Sequence, residues 1–128
     1  SNEFQGADWS YDIPPTIGAS FIGRNQRSDR YWETTSYVRV YDPPHVFAWN
    51  VGDPDLPSAQ WRFEIEAIGG HARLRHAMVI GPGIGGTARD MQDNPDEANV
   101  ILRRRRGQLQ ENMELTIRGI KTDAESAD

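Results

Sequence analysis

The sequence predicts an α+β domain in which a curved antiparallel sheet wraps around one long C-terminal helix. Three observations predict it. Five strand-like runs follow one another with turn signals between them. A helical period is confined to the last third of the chain. The order, strands first and one helix last, is that of an α+β fold and not of an alternating α/β one.

The elements follow in chain order. Ser1 to Pro15 holds two anchors, Phe4 and Trp9, in turn-rich surroundings, and Pro14-Pro15 breaks regular structure. Ser1-Asn2 reads as a tag scar or a cut inside a longer chain. Gly18 to Asn25 is the first strand-like run, around Phe21 and Ile22, and Tyr31 to Tyr41 is rich in aromatic and β-branched residues. His45 to Val51 is short and apolar, while Gln60 to Ile68 and His71 to Ile80 alternate. Asp42-Pro43-Pro44 turns the second run into the third, and Gly69-Gly70 is a hairpin of the primed type. Gly52 to Ser58, with Pro54 and Pro57, reads as a longer surface loop, and Gly81 to Gly86 leads away from the sheet.

The helix is expected from Asn94 to Asp123. Asn94-Pro95-Asp96-Glu97 supplies an Asx-type cap, a proline at the first helical position and two acids at the positive end of the dipole. Leu102, Leu109, Met113, Ile117, Ile120 and Ala124 then fall near the 3.6-residue period. Gly107 is the expected bend.

Composition bounds the function. At 128 residues one domain, residues 1–128, is expected. The net charge of -5 argues against nucleic acid as a partner. No apolar run approaches the ~18 residues needed to span a bilayer, and a cytoplasmic location is the default. Cysteine is absent, so thiolate chemistry and disulfides are excluded.

Alternation assigns the faces. Trp61, Phe63 and Ile65 lie opposite Arg62, Glu64 and Glu66; Leu74, His76, Met78 and Ile80 lie opposite Arg73 and Arg75. Trp32, Thr34, Ser36, Val38 and Val40 line up, as do Phe47, Trp49 and Val51, and Phe21, Gly23 and Asn25. The inward face is therefore aromatic and lightly polar, whereas a packing core would favour Leu, Ile and Val. Aromatics around a few convergent polar groups are how small-molecule pockets are built.

His76 is the one histidine on that face, with Thr34, Ser36 or Asn25 as expected partners. Desolvation would keep it neutral, able to orient a ligand's polar end or to act as acid or base. His45 and His71 sit at turns and are expected to be solvated. Three scattered histidines give no metal-ligand spacing, and neither a metal nor another cofactor is expected. Gly81-Pro82-Gly83-Ile84-Gly85-Gly86 matches GxGxxG, but the βαβ unit and the later acid of a dinucleotide fold are missing, so it reads as a flexible loop able to gate a cavity. Arg103 to Arg106 covers all sides of a helix and reads as solvated surface, paired at helical spacing with nearby acids.

The string Ile17-Gly18-Ala19-Ser20-Phe21-Ile22-Gly23-Arg24-Asn25 with Trp32, then Asp42-Pro43-Pro44-His45-Val46-Phe47-Ala48-Trp49, then Trp61-Arg62-Phe63-Glu64-Ile65-Glu66 before Gly69-Gly70, resembles the polyketide cyclase/dehydrase-type branch of the START-like (SRPBCC) superfamily. The ending, Asn112-Met113 through Gly119-Ile120-Lys121 and Ala124-Glu125, is similar too. That resemblance implies a helix-grip fold whose members bind lipids, sterols, polyketides or other apolar ligands, only some of them as enzymes. The family's opening strand and two short helices, about 30 to 40 residues for a domain of this size, have no counterpart before Phe4. Either this chain is a fragment, or a second copy covers the exposed sheet edge as a homodimer would.

The expected function is binding of an apolar or amphipathic small molecule, lipid- or polyketide-like, between sheet and helix. Phe21, Trp32, Trp49, Trp61, Phe63, Met78, Met113 and Ile117 would line the site, with His76 orienting a polar end. One alternative is a cyclase or dehydratase on a polyketide-like substrate with His76 in acid/base work. Another is a protein-interaction module built on the free sheet edge.

Overall fold

Short connections dictate the topology. Each strand run is followed by a tight turn, so each strand pairs with its sequence neighbour and the chain meanders. In the computed structural model, which describes residues 3–10 and 16–126, six strands form one antiparallel sheet in the order β1 to β6. They are β1 (Phe4–Trp9), β2 (Ser20–Arg27), β3 (Arg30–Asp42), β4 (Val46–Asp53), β5 (Leu56–Ile68) and β6 (His71–Ile80). Two helices follow, α1 (Gly86–Asp93) and α2 (Ala98–Glu125), with a 3-10 turn at Pro95–Glu97 between them. Residues 4–85 form one unit; Glu3 and residues 86–126 belong to the other.

The five expected strands are all present. Gly69 takes φ +60 at the β5–β6 turn, as the first central residue of a primed hairpin does. Gly52 to Ser58 departs from expectation: it is no loop. β4 runs to Asp53 and β5 starts at Leu56, leaving Pro54 and Asp55 as the turn. Pro57 is tolerated because the register shifts between Val51 and Gly52, and proline fits a ladder at such an irregularity. Phe4–Trp9 is likewise a strand, paired with β2 and irregular between Phe4 and Gly6, not a pair of anchors in a turn-rich segment. Ser1-Asn2 and Pro14-Pro15 lie outside the described residues.

Within the second unit, α2 spans 28 residues, about 42 Å at 1.5 Å per residue. It runs without a break through Gly107 and Gly119. The expected Asx cap is absent: Asn94 makes no side-chain cap bond to the helix that follows. Its amide instead donates back to the Asp90 carbonyl (3.1 Å), as does its backbone N–H (3.0 Å), so Asn94 closes α1. The buried positions of α2 are Leu109 and Asn112, while Ile120 and Ala124 are exposed, so the apolar stripe ends sooner than its period suggested. Arg105 also leaves the solvated set. Its guanidinium grips both carboxylate oxygens of Glu3 at 2.7 and 3.2 Å, with side chains only 21% and 10% exposed. A two-pronged contact of that kind suits arginine and not lysine.

The glycine-rich stretch after β6 is pinned to the start of β5. Gly81 N–H donates to the Ser58 carbonyl and Gly83 N–H to the Pro57 carbonyl, both at 2.7 Å. A Cβ on Gly83 would stand 2.0 Å from the Leu56 carbonyl oxygen, and one on Gly85 would stand 2.9 Å from the Ser58 Cβ. Gly83 is there because two backbone segments touch, and Gly85 because it lies against the Ser58 side chain, so the expectation of a free gating loop is corrected. Gly83→Ala is therefore expected to lower unfolding free energy by about 2–4 kcal/mol, the range of a backbone clash. Gly70→Ala, where a Cβ meets nothing within 4 Å, should change it by less than ~1 kcal/mol. Urea denaturation of both variants checks this; equal losses would sink the close-approach explanation.

Candidate functional site

Register decides which side chains share a face. Val38, Trp49, Trp61 and Met78 lie across from one another on β3 to β6. The row on one side is Trp9, Phe21, Ser36, Val51, Ala59 and Ile80. The row on the other is Tyr41, Phe47, Phe63 and His76. Tyr41 stands there in place of Val40 because the register slips between Val38 and Val40, and Val40 passes to the far side opposite Ala48. The far side carries the charge. Glu33 pairs with Arg24, Glu64 with Arg75 and Glu66 with Arg73 across strands; Arg62 is ion-paired to Glu64, and Arg39 donates to Gln60 (3.2 Å).

The rings on the aromatic face form a continuous chain. Trp9 meets Phe21 at 5.4 Å between centroids, and Phe21 meets Trp49 at 6.0 Å. Trp49 stacks on Trp61 (6.2 Å, 12° between planes) and also touches Phe47 and Phe63. The chain ends on His76, which lies flat against Phe63 (4.0 Å, 9°) and against Trp61 (5.2 Å). None of these rings is fully buried. The buried residues among them are small or aliphatic: Ser36 and Val38 are each 2% exposed. Large apolar rings left part-wet in the middle of a sheet are poor core and good contact surface.

His76 is the polar point of this face. Both ring nitrogens are buried and neither has a hydrogen-bond partner. Burial alone lowers its pKa from 6.5 to about 4, so the imidazole is neutral near pH 7. A buried polar atom without a partner costs about 1–3 kcal/mol, which marks the position as specialised for something other than packing. The expected partners do not reach it. Ser36 and Thr34 sit on β3, three strand spacings or ~14 Å away along the sheet, and Asn25 is a strand further.

Phe21, Trp49, Trp61, Phe63, His76 and Met78 are thus brought together as the alternation predicts. Trp32 shares the face but not the cluster: it lies six positions along β3 from Val38, ~20 Å of strand. Its ring lies under Arg30 instead, at 5.8 Å. Met113 and Ile117 lie on α2, in the other unit. Trp9, Phe47 and Tyr41 are members of the ring chain that sequence reasoning left out of the site. His45 and His71 are exposed at their turns. Among the described residues no three His, Asp or Glu side chains converge as metal ligands would, and no helix is long and apolar enough to cross a membrane.

The chain is similar to a polyketide-cyclase-like protein from Corynebacterium glutamicum, solved by NMR in solution, with a TM-score of 0.65 and 28% sequence identity. The match covers 87% of this chain and 66% of that protein, so the chain spans under two thirds of its length. No family model and no curated protein matches the sequence.

His76 gives the site a pH signature. The unfolded chain takes up a proton at this residue near pH 6.5, while the folded chain resists until about pH 4. Stability contributed here is complete above pH 6.5 and declines as pH falls through that window. The wild type is therefore expected to lose more stability than His76→Phe between about pH 7 and pH 4.5, measured by urea denaturation at each pH. Parallel curves for the two proteins would refute the buried neutral imidazole.

Proposed function

We propose that this chain, a START-like α+β domain of the helix-grip class and the polyketide-cyclase-like branch, binds an apolar or amphipathic small molecule on the aromatic face of its sheet. One observation carries the reading: an imidazole with two buried, unpartnered nitrogens at the end of a chain of part-exposed aromatic rings. A neutral imidazole offers one donor and one acceptor. A ligand's polar group would satisfy what the protein leaves unsatisfied, and the rings would shed water against the ligand's body. The contact residues are Phe21, Trp49, Trp61, Phe63 and Met78, with His76 orienting the polar end.

Magnitudes make this workable. Covering about 300 Å² of apolar ligand surface at ~25 cal/mol/Å² contributes roughly 7 kcal/mol before association costs, which leaves affinity in the micromolar range. The enzymatic alternative, a cyclase or dehydratase step on a polyketide-like substrate, uses the same residue: an imidazole held neutral has a lone pair free to take a proton.

The test is a titration with the uncharged fluorescent probe N-phenyl-1-naphthylamine. Micromolar binding is expected for the wild type, weakened about tenfold or more in Trp61→Ala and Trp49→Ala. Val79→Ala, on the opposite face, should bind as the wild type does. His76→Ala separates the alternatives, because a binding role weakens affinity while an acid/base role abolishes turnover and spares binding. Equal binding by all the variants would refute the site.

A further inference from the structure

The three rows that hold the ring chain differ from an ordinary ligand pocket in one respect: charge. Their polar groups are Ser36, Tyr41 and His76, besides the tryptophan N–H groups; none is a carboxyl, a guanidinium or an amine, and burial keeps the His76 imidazole neutral near pH 7. Every Asp, Glu and Arg of β2 to β6 adjoining these rows lies on the other face. The exceptions by alternation are Arg27 and Arg30, at the β2–β3 turn, and Asp53, at the β4–β5 turn, six positions or ~20 Å along β4 from Phe47 and bound to the Asp55 N–H (2.9 Å). Arg30 lies eleven positions along β3 from Tyr41, ~36 Å of strand, and is occupied over Trp32.

The ligand's own charge follows. A carboxylate, sulfonate or phosphate brought against this face would lose water and find no cation. An ammonium placed beside His76 would find no carboxylate on the neighbouring strands. Desolvating an ion without a counter-charge is far more costly than desolvating a hydroxyl or carbonyl that gains a hydrogen bond. Shape follows from the rings: Trp49 on Trp61, and His76 on Phe63, are near-parallel pairs of flat surfaces. We propose that this face selects an uncharged, flat aromatic molecule whose hydroxyl or carbonyl meets His76, and discriminates against acids and amines of the same shape. This deepens the binding reading above and rests on it.

Four probes of one shape test it: naphthalene, 2-naphthol, 2-naphthoate and 2-naphthylmethylammonium, each titrated against the full chain near neutral pH by tryptophan fluorescence. The expected order places 2-naphthol first, with both ions bound at least about tenfold more weakly. Naphthalene itself should bind measurably but more weakly than the naphthol. In His76→Phe the naphthol's advantage over naphthalene should shrink to about twofold or less, with naphthalene still bound. His76→Leu repeats the comparison if the phenylalanine variant does not melt cooperatively. Either ion binding within tenfold of 2-naphthol overturns the charge selection and leaves the binding reading standing. An advantage that survives in the His76 variants overturns the role given to His76. Failure of all four probes, naphthalene included, overturns the binding reading itself.

Discussion

Strand register is the constraint on which this molecule depends. In a meander each strand is held only by its sequence neighbours, so each turn passes the inside/outside assignment to the next. A slip of one residue in β5 would send Trp61 and Phe63 to the charged side and bring Arg62 and Glu64 among the rings. Cross-strand partners resist that slip from both sides: Glu64 faces Arg75 and Glu66 faces Arg73 on one surface, while Phe63 faces His76 and Trp61 faces Met78 on the other. These facing charges are exposed or part-exposed, and each contributes little by itself. Their worth lies in making the wrong register costly, since it would bury several charges at once.

The same logic explains how far the sequence could be read. β2 to β6 were legible because each has one apolar and one polar side, and alternation is a direct imprint of pleating. Phe4–Trp9 was not, because Gly6 and the irregularity beside it disturb the alternation that would have declared a strand. Val40 was placed on the wrong face for a related reason. A bulge adds one residue to one strand, and nothing in the composition of Arg39-Val40 announces it. Pro54 and Pro57 misled in the other direction, since prolines usually mark loops, and here one lies in a two-residue turn and the other just inside β5. Asn94 was recognised as a helix boundary but assigned to the wrong helix; α1 has a glycine start and no acidic first turn to reveal it.

The candidate site was legible in its members and not in its grouping. Trp32 and Trp49 look equivalent in a list of aromatic residues, yet the register sets them far apart and gives Trp32 an arginine for company. Trp9 and Phe47 join the ring chain for the converse reason, that pairing with Phe21 and Phe63 carries them there. His76 was identified from alternation alone. What sequence could not supply was the state of its two nitrogens: partners were expected among Thr34, Ser36 and Asn25, and strand order puts all of them out of reach along the sheet.

That missing partnership distinguishes a working surface from a core. A sequence under selection for stability alone would place leucine or phenylalanine at position 76, remove two unsatisfied nitrogens, and stack equally well on Phe63. It would also replace part-wet tryptophans with aliphatic residues that pack without remainder. Neither has happened, and the buried apolar residues of the strands are as small as Val38 and Ala48. Two local departures from good packing coincide at one place, an unpaired imidazole and a run of part-exposed rings, and selection for stability alone would favour neither. The glycines after β6 make the contrast. They also break a local rule, but a positive φ at Gly81, two hydrogen bonds to β5 and the lack of room for a Cβ at Gly83 and Gly85 account for these three without a ligand.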